Sequence, residues 1–265
     1  MASHMALHAA FLVDIPAQLN DAKNEGPMLQ PQLDLIISLL KANPKACAQK
    51  DLKKRSPLQL AMSSTKIAPR NVIEMIIAAY PPAIRARDSE ERLPLHLAVS
   101  NPMTSIENIQ TLLEAYPGAV DVQDEDEALP IHLAAWGGAT PQAMSVIKLL
   151  HKQNPSNMGV SDGDSETVLS LMAKYGRTTE EAMEYVVNLE SNAVLSDRDE
   201  LEGNTILHFA VQSSRLNNNT IYVPVLKAHP DATKKINQIG QLPLHVALRD
   251  CCSSQQLIQD LLKTY

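Results

Sequence analysis

Aromatic residues make up only 3% of this 265-residue chain, although 45% of it is hydrophobic. Any core must therefore be built from Leu, Ile, Val, Ala and Met, a set suited to closely stacked helices. Cysteine is almost absent, with only Cys47, Cys251 and Cys252 present. An odd count without framework spacing excludes a disulfide-stapled scaffold and points to a reducing compartment. The adjacent pair Cys251-Cys252 has no Cys-x-x-Cys partner and reads as a bystander. There is no uninterrupted apolar run of roughly 18 residues to span a membrane, and no secretory signal. The expected location is intracellular, in the cytoplasm with the nucleus left open. Also missing are Gly-x-Ser-x-Gly, a phosphate loop, zinc-ligand spacing and a dinucleotide fingerprint. Nothing here argues for catalysis, a metal or a cofactor, and the chain is read as a non-enzyme. Asp162-Gly163-Asp164-Ser165-Glu166 and Asp197-Arg198-Asp199 look like the start of a calcium loop. Neither has Gly at loop position six or Glu at twelve, where Ala173 and His208 stand, so chelation of that kind is rejected.

Charge is unevenly spread. The formal net charge is −7, but residues 88–202 alone carry −15 and the remainder +8. An acidic middle repels phosphate backbones, which argues against nucleic acid as the main partner. It favours a protein partner with a basic segment, the field helping encounter more than final affinity. The alternative is that acidic turns merely keep the chain soluble.

What the chain has in abundance is one short pattern, six times over: Ser56-Pro57-Leu58-Gln59-Leu60-Ala61, Leu93-Pro94-Leu95-His96-Leu97-Ala98, Leu129-Pro130-Ile131-His132-Leu133-Ala134, Thr167-Val168-Leu169-Ser170-Leu171-Met172, Thr205-Ile206-Leu207-His208-Phe209-Ala210 and Leu242-Pro243-Leu244-His245-Val246-Ala247. Counted from the proline position, successive copies stand 37, 36, 38, 38 and 37 residues apart. A near-constant period of this size means a stacked array whose units bury their apolar faces against their neighbours.

These copies resemble the ankyrin repeat family, whose signature is a hairpin turn, Thr-Pro-Leu-His-x-Ala and a second helix. Six residues before each proline position stands an acidic or amide residue: Asp51, Asp88, Asp124, Asp162, Glu200 and Asn237. The resemblance places there the residue that opens the turn. The family's turn glycine, three before the proline position, survives only as Gly203 and Gly240; Lys54, Glu91, Glu127 and Ser165 replace it elsewhere. Because glycine tolerates positive φ cheaply, those four turns are expected to differ in shape. The period also exceeds the usual value of ~33, and the extra residues fall between the two helices, as at Ser63 to Arg70 and Gly137 to Gln142. A partial seventh copy, Ala6-Leu7-His8-Ala9-Ala10, follows Met1-Ala2-Ser3-His4-Met5, which reads as an expression-vector scar. The resemblance implies an all-α ankyrin-repeat solenoid of about seven helix-turn-helix units. Its expected extent is a single domain over residues 6–265, with units near 6–50, 51–87, 88–123, 124–161, 162–199, 200–236 and 237–265. A start inside a motif, and the apolar helix face of Leu257, Ile258, Leu261 and Leu262 at the other end, suggest a piece of a longer protein.

Within a unit, proline suits the first helical position, where no amide donor is needed. Second helices are expected to stop at Asn43-Pro44, Tyr80-Pro81, Tyr116-Pro117, Asn154-Pro155 and His229-Pro230, since the residue before proline is pushed out of the α region. Residues 162–200 are expected to be the least regular unit. The long first connection, around Asp14 to Gln32, is an interaction candidate. His8, His96, His132, His208 and His245 share one repeat position, so they do not converge on a metal. The resemblance implies that they brace the turn, with Gln59 and Ser170 as partial substitutes.

The family binds proteins through hairpin tips and the exposed ends of its first helices, on the concave face. Carried over, the candidate binding residues are Ser100, Asn101, Trp136, Lys174, Tyr175 and Gln212 from the helices, with Glu90, Arg92, Glu125, Asp126, Asp164 and Glu166 from the tips. Trp136, the only tryptophan, and Tyr175 are the expected anchors; aromatic residues rimmed by charge are typical interface hot spots. Trp136 folded over Gly137-Gly138 within its own array is the other reading. The function expected is a non-catalytic protein-interaction module. The alternatives are a structural array self-associating through its terminal repeats, and a regulatory or targeting domain of a larger enzyme.

Overall fold

The computed structural model describes residues 26–28, 30–137, 141–175, 178–189, 202–217, 220–249 and 254–265. The partial motif at residues 6–10, the loop as far as residue 25, and Cys251 and Cys252 lie outside them. Among the described residues there are thirteen α-helices: α1 Gln30–Ala42, α2 Pro57–Ser63, α3 Arg70–Ala79, α4 Pro94–Ser100, α5 Ile106–Ala115, α6 Pro130–Trp136, α7 Pro141–Gln153, α8 Val168–Tyr175, α9 Glu180–Leu189, α10 Ile206–Asn217, α11 Tyr222–Ala228, α12 Pro243–Leu248 and α13 Gln255–Thr264. The architecture is all-α, with one addition. Strand β1 (Gly26–Pro27) pairs in parallel with β2 (Lys66–Ile67), matching Gly26 to Lys66 and Pro27 to Ile67. The extra residues between α2 and α3 thus receive the first connection, whose final residues, Gln30 to Gln32, already belong to α1.

The chain divides into two compact units. One holds the described parts of Met1–Gly137 with Ser145–Asn154, and the other those of Gly138–Met144 with Pro155–Tyr265. In the first unit α2, α4 and α6 pack side by side, while α1, α3 and α5 form a second layer against them. In the second unit α8, α10 and α12 make the first layer, α9 packs on α11, and α13 packs on α12. The cores of both are aliphatic: Leu58, Leu95 and Ile131 are buried in one, Leu169, Leu207 and Val246 in the other. Each such side chain contributes roughly 2 kcal/mol by leaving water. The motif alanines Ala61, Ala98, Ala134, Ala210 and Ala247 are buried too, and their single methyl groups let neighbouring helices approach. The terminal apolar face is split: Leu257 and Leu261 are buried, whereas Leu262 is exposed.

The helix starts follow from local chemistry. Pro57, Pro94, Pro130 and Pro243 each take the first helical position behind an extended residue, whose ψ is 164° at Ser56 and Leu93, 159° at Leu129 and 160° at Leu242. The backbone N–H of that extended residue is capped from inside the helix. Leu93, Leu129 and Leu242 donate to Nδ1 of His96, His132 and His245 at 3.1, 2.9 and 2.9 Å. Nδ1 of His208 accepts from Thr205 N–H at 3.2 Å. The motif histidines therefore brace their own turns, one per repeat. Ser170 works more locally, its hydroxyl donating to the Thr167 carbonyl at 2.9 Å.

The expected stops are also present. Asn43, Tyr80, Tyr116 and His229 sit at φ between −137° and −148° and ψ between 71° and 83°, outside helical space, as the following proline demands. The chain does not become loop there. It continues as a 3₁₀ helix at Pro44–Ala48, Pro81–Arg85, Pro117–Asp121, Pro155–Gly159 and Pro230–Lys234. Ala46, Ala83, Ala119 and Ala232 lie buried two residues after these prolines, each donating its N–H to the carbonyl of the residue before the proline at 3.0–3.1 Å.

The four turns without glycine are not shaped differently. Lys54, Glu91, Glu127 and Ser165 adopt φ of 58°, 56°, 56° and 61°, beside 65° at Gly203 and 77° at Gly240. The strain, about 1 kcal/mol or more per residue, is outweighed by bonds that pin the turn. Asp51 Oδ1 accepts from Lys53 and Arg55 N–H at 2.9 and 2.8 Å. Asp88, Asp124 and Asp162 repeat this with Glu90 and Arg92, Asp126 and Ala128, and Asp164 and Glu166, at 2.9–3.1 Å. Asp51, Asp124, Asp162 and Asn237 also exchange two backbone bonds with the turn they close, as in Asp51 N–H to Arg55 O at 2.9 Å and Lys54 N–H to Asp51 O at 3.0 Å.

Of the unit expected to be least regular, α8 and α9 are ordinary helices, and residues 190–201 lie outside the described set.

Candidate functional site

Successive hairpins of the first unit are tied tip to tip by the backbone. Ser89 N–H donates to Lys53 O at 3.0 Å, and Glu125 N–H to Glu90 O at 3.1 Å. Between tips of the second unit, Gln238 N–H donates to Glu202 O at 2.8 Å. Within each unit these backbone bonds hold neighbouring tips side by side.

The tips differ in how their charges are spent. Asp51 pairs with Arg55 at 2.7 Å; burial pushes its carboxyl up, but the hydrogen bonds and charge of Arg55 prevail and hold it below the ordinary value. Asp88 pairs with Arg92 at 3.0 Å, Arg92 also pairs with Glu90 at 2.7 Å, and Arg87 lies 3.5 Å from Glu91. The third tip has Ala128 where the first two have arginine. Burial, reinforced by neighbouring Asp126, raises the Asp124 carboxyl, and Glu125, Asp126 and Glu127 project into solvent.

Several candidate residues are exposed or half-exposed. Trp136 closes α6 and is 49% exposed. Tyr175 closes α8 at 42% exposure, with the Lys174 ammonium 6.0 Å from its ring centre and 5.9 Å from that of Phe209. Glu125, Asp126, Asp164 and Glu90 are exposed; Arg92, Ser100 and Gln212 are half-buried. Trp136 and Tyr175 belong to different units.

Others do structural work. Asn101 Nδ2 donates to Met62 O and Ser64 O at 2.7 and 2.8 Å while its Oδ1 accepts from Met103 N–H at 3.0 Å. It clamps the end of α4 to the end of α2. Glu166 is buried rather than projecting from its tip, and accepts from Lys174 Nζ at 2.6 Å. That ion pair spans a turn and its own first helix. Sequence reasoning classed both by repeat position alone; the Asn-Pro that follows Ser100 was the available sign of a capping role.

Among the described residues no group of three or more His, Cys, Asp or Glu converges as a metal site requires, and no helix is long and apolar enough to cross a membrane. Cys47 is buried, which raises its thiol to about 11.

No family model and no curated protein matches the chain. Solved structures do. The human ASB11 ankyrin repeat domain superposes with a TM-score of 0.68 at 19% identity, over 98% of this chain and 97% of that one. A chain from the structure of the Bd0816 predatory endopeptidase of Bdellovibrio bacteriovorus in complex with immunity protein Bd3460 gives a TM-score of 0.60 at 18% identity, over 84% of this chain and 97% of that one. Six motif copies, paired helices and hydrogen-bonded hairpins agree with the first of these likenesses: the fold of this chain is the ankyrin repeat fold.

Proposed function

We propose that the chain is a non-catalytic module that binds a protein partner through its hairpin tips and the exposed ends of its first helices. The observation that carries this is in one repeat: Trp136 is half exposed at the end of α6, and Glu125 and Asp126, exposed and in no ion pair among the described residues, stand on the hairpin of that repeat. Pro130, Ile131, Ala134 and Ala135 earlier in α6 are buried and Leu133 is half-buried, so the exposed indole stands out as a feature that a partner would explain. Tyr175 and Lys174 supply a similar aromatic and cationic pair in the second unit. The charge selects the partner: a basic segment is attracted to the third tip and nucleic acid is repelled. Tips already tied to their neighbours by backbone bonds lose less entropy on binding. One similar structure is a protein–protein complex, in keeping with a protein partner here.

The test is capture from a lysate of the source cells by the wild-type chain, Trp136→Ala and Glu125→Lys/Asp126→Lys. A partner held by the first and lost by both variants supports the reading, with the tryptophan worth ~2 kcal/mol, or roughly 30-fold in affinity. Equal retention by all three removes this surface from consideration. Self-association through terminal repeats is the second reading, favoured by the exposed Leu248, Leu262 and Tyr265.

A further inference from the structure

The hairpin row of the first unit carries an ordered charge pattern. Its first tip presents Lys53 and Lys54, exposed and in no ion pair among the described residues; Arg55 beside them is matched by Asp51. The charges of the second tip are paired within it, Arg92 with Asp88 and Glu90, and Glu91 with Arg87, which leaves two guanidiniums against three carboxylates, a net charge of −1. The third presents Glu125, Asp126 and Glu127, also exposed and in no ion pair among the described residues. The backbone bonds from Ser89 to Lys53 and from Glu125 to Glu90 hold the three tips in that sequence. Read forward the row is positive, weakly negative with its charges paired, then strongly negative; read backward the order reverses.

We propose that this row is a self-complementary docking edge, on which a second copy of the chain pairs antiparallel about a twofold axis through the middle tip. The axis sets Lys53 and Lys54 of each copy against Glu125, Asp126 and Glu127 of the other; at the centre the two internally paired middle tips, each at −1, meet with a small repulsion beside the two attractive contacts. A twofold contact of this kind closes on itself and stops at two copies. Parallel placement sets like charge on like charge and is disfavoured. Nucleic acid fits only the first tip and is repelled by the third. Leu52, fully exposed on the first tip, adds apolar area beside the lysines. Exposed ion pairs are individually worth at most about 1 kcal/mol, so the association is weak and governed by ionic strength. This goes beyond the proposed partner binding, since Trp136 takes no part; Trp136→Ala is expected to dimerise like the wild type.

The test is sedimentation velocity over a concentration series at ionic strengths of about 0.01 and 1 M, where the screening length falls from about 30 to about 3 Å. The chain is compared with Lys53→Glu/Lys54→Glu and with Asp126→Lys/Glu127→Lys. These swaps are compatible with the fold, because Glu90 and Glu91 already occupy the positions of Lys53 and Lys54 in the next repeat, and the lysines occupy those of Asp126 and Glu127 in an earlier one; circular dichroism checks it. The wild type is expected to form a reversible dimer at low ionic strength and to be monomeric at high. Each variant alone is expected to be monomeric, while their equimolar mixture forms a heterodimer, because both of its contacts then join opposite charges. A wild type that stays monomeric at low ionic strength, variants that dimerise unchanged, a mixture that stays monomeric, or a mass that keeps growing beyond two copies each overturns the proposal.

Discussion

Gln59 joins two repeats through a single amide. Its Oε1 accepts from Ser56 N–H at 2.9 Å, capping its own helix, while its Nε2 donates to Ala86 O at 3.2 Å at the end of its own repeat and to Arg92 O at 2.8 Å in the following one. His208 does the same with a ring, Nδ1 facing Thr205 and Nε2 lying 2.9 Å from Gln241 O. The motif position is thus a joint between hairpins as well as a brace within one. Its chemistry asks for an acceptor on one side and a donor on the other, which neutral histidine or glutamine satisfies and imidazolium does not.

A pH dependence follows at His96. Its ring is buried, which pushes it down to about 4; the carbonyls of Ala128 and Val122 oppose this in part. The native state therefore holds the ring neutral while the unfolded chain takes up a proton below its ordinary value of 6.5. Stability from this group is complete above that value and is lost as pH falls toward about 4, by roughly 3 kcal/mol across the window. His96→Gln, whose amide oxygen can accept from Leu93 N–H as that of Gln59 does from Ser56, is expected to match the wild type near neutrality and to flatten the acid limb. Urea midpoints measured across this range check it. Parallel curves for the two chains would remove His96 as the cause.

The strained turns give a second expectation. Glu91 and Glu127 at φ of 56° occupy conformations that glycine adopts without steric cost. Glu91→Gly and Glu127→Gly are each expected to raise stability by about 0.5–1 kcal/mol, despite losing side chains. The opposite change at Gly203 is costly: at φ +65° an added Cβ would stand 2.9 Å from Gln238 Cγ and 3.1 Å from its backbone N. Thermal midpoints should move up for the first two and down for Gly203→Ala. A fall for both glycine variants would show that the turn bonds leave no strain to relieve.

These turns also mark where sequence reading reached its limit. The period, the proline starts, the pre-proline stops and the shared histidine position were all legible, because each is a local constraint acting on one or two residues. The left-handed residue at Lys54, Glu91, Glu127 and Ser165 was misread, because the local preference of a non-glycine residue is overruled by Asp Oδ1 holding two amides a few positions away. The 3₁₀ helices were missed, although Pro-x-Ala at 44–46, 81–83, 117–119 and 230–232 recurs with the motif. On the surface, repeat position located Trp136 and the exposed tips. It did not separate Asn101 or Glu166 from them, since their bonds to Met62, Ser64 and Lys174 depend on how neighbouring segments pack.

Asn101 offers a test of that separation. It fastens α4 to two carbonyls of the preceding repeat and accepts from Met103 N–H. Asn101→Ala leaves those groups without partners, at an expected cost of about 1–3 kcal/mol. Trp136→Ala removes a half-exposed side chain and is expected to alter stability by less than about 1 kcal/mol while weakening partner binding. Denaturant midpoints and partner affinity, measured on both variants, should therefore move oppositely. Loss of affinity in Asn101→Ala at unchanged stability would instead make Asn101 a contact residue.

Asp88 is the opening residue most deeply committed to its turn. Its Oδ1 accepts from Glu90 and Arg92 N–H, both at 3.0 Å, and its Oδ2 from Arg92 Nε and a terminal guanidinium N at 3.1 and 3.0 Å, with the carboxylate buried. Asn237 performs the corresponding task without charge: its Oδ1 accepts from Gln241 N–H at 2.8 Å, and its Nδ2 donates to Asn204 Oδ1 at 3.0 Å. The turn itself therefore needs one acceptor oxygen, and the second Asp88 oxygen exists for Arg92. Asp88→Asn keeps the first function but aims an amide donor at the guanidinium, leaving the partly buried cation only its pair with Glu90. The expected loss is about 2–3 kcal/mol. Arg92→Gln in the same chain supplies a neutral carbonyl in place of that cation, and the double variant is expected to recover at least about 1 kcal/mol of the loss. A double-mutant cycle on unfolding free energy decides it: strictly additive losses would mean that Asp88 acts on the backbone amides alone and that its pairing with Arg92 adds nothing to the turn.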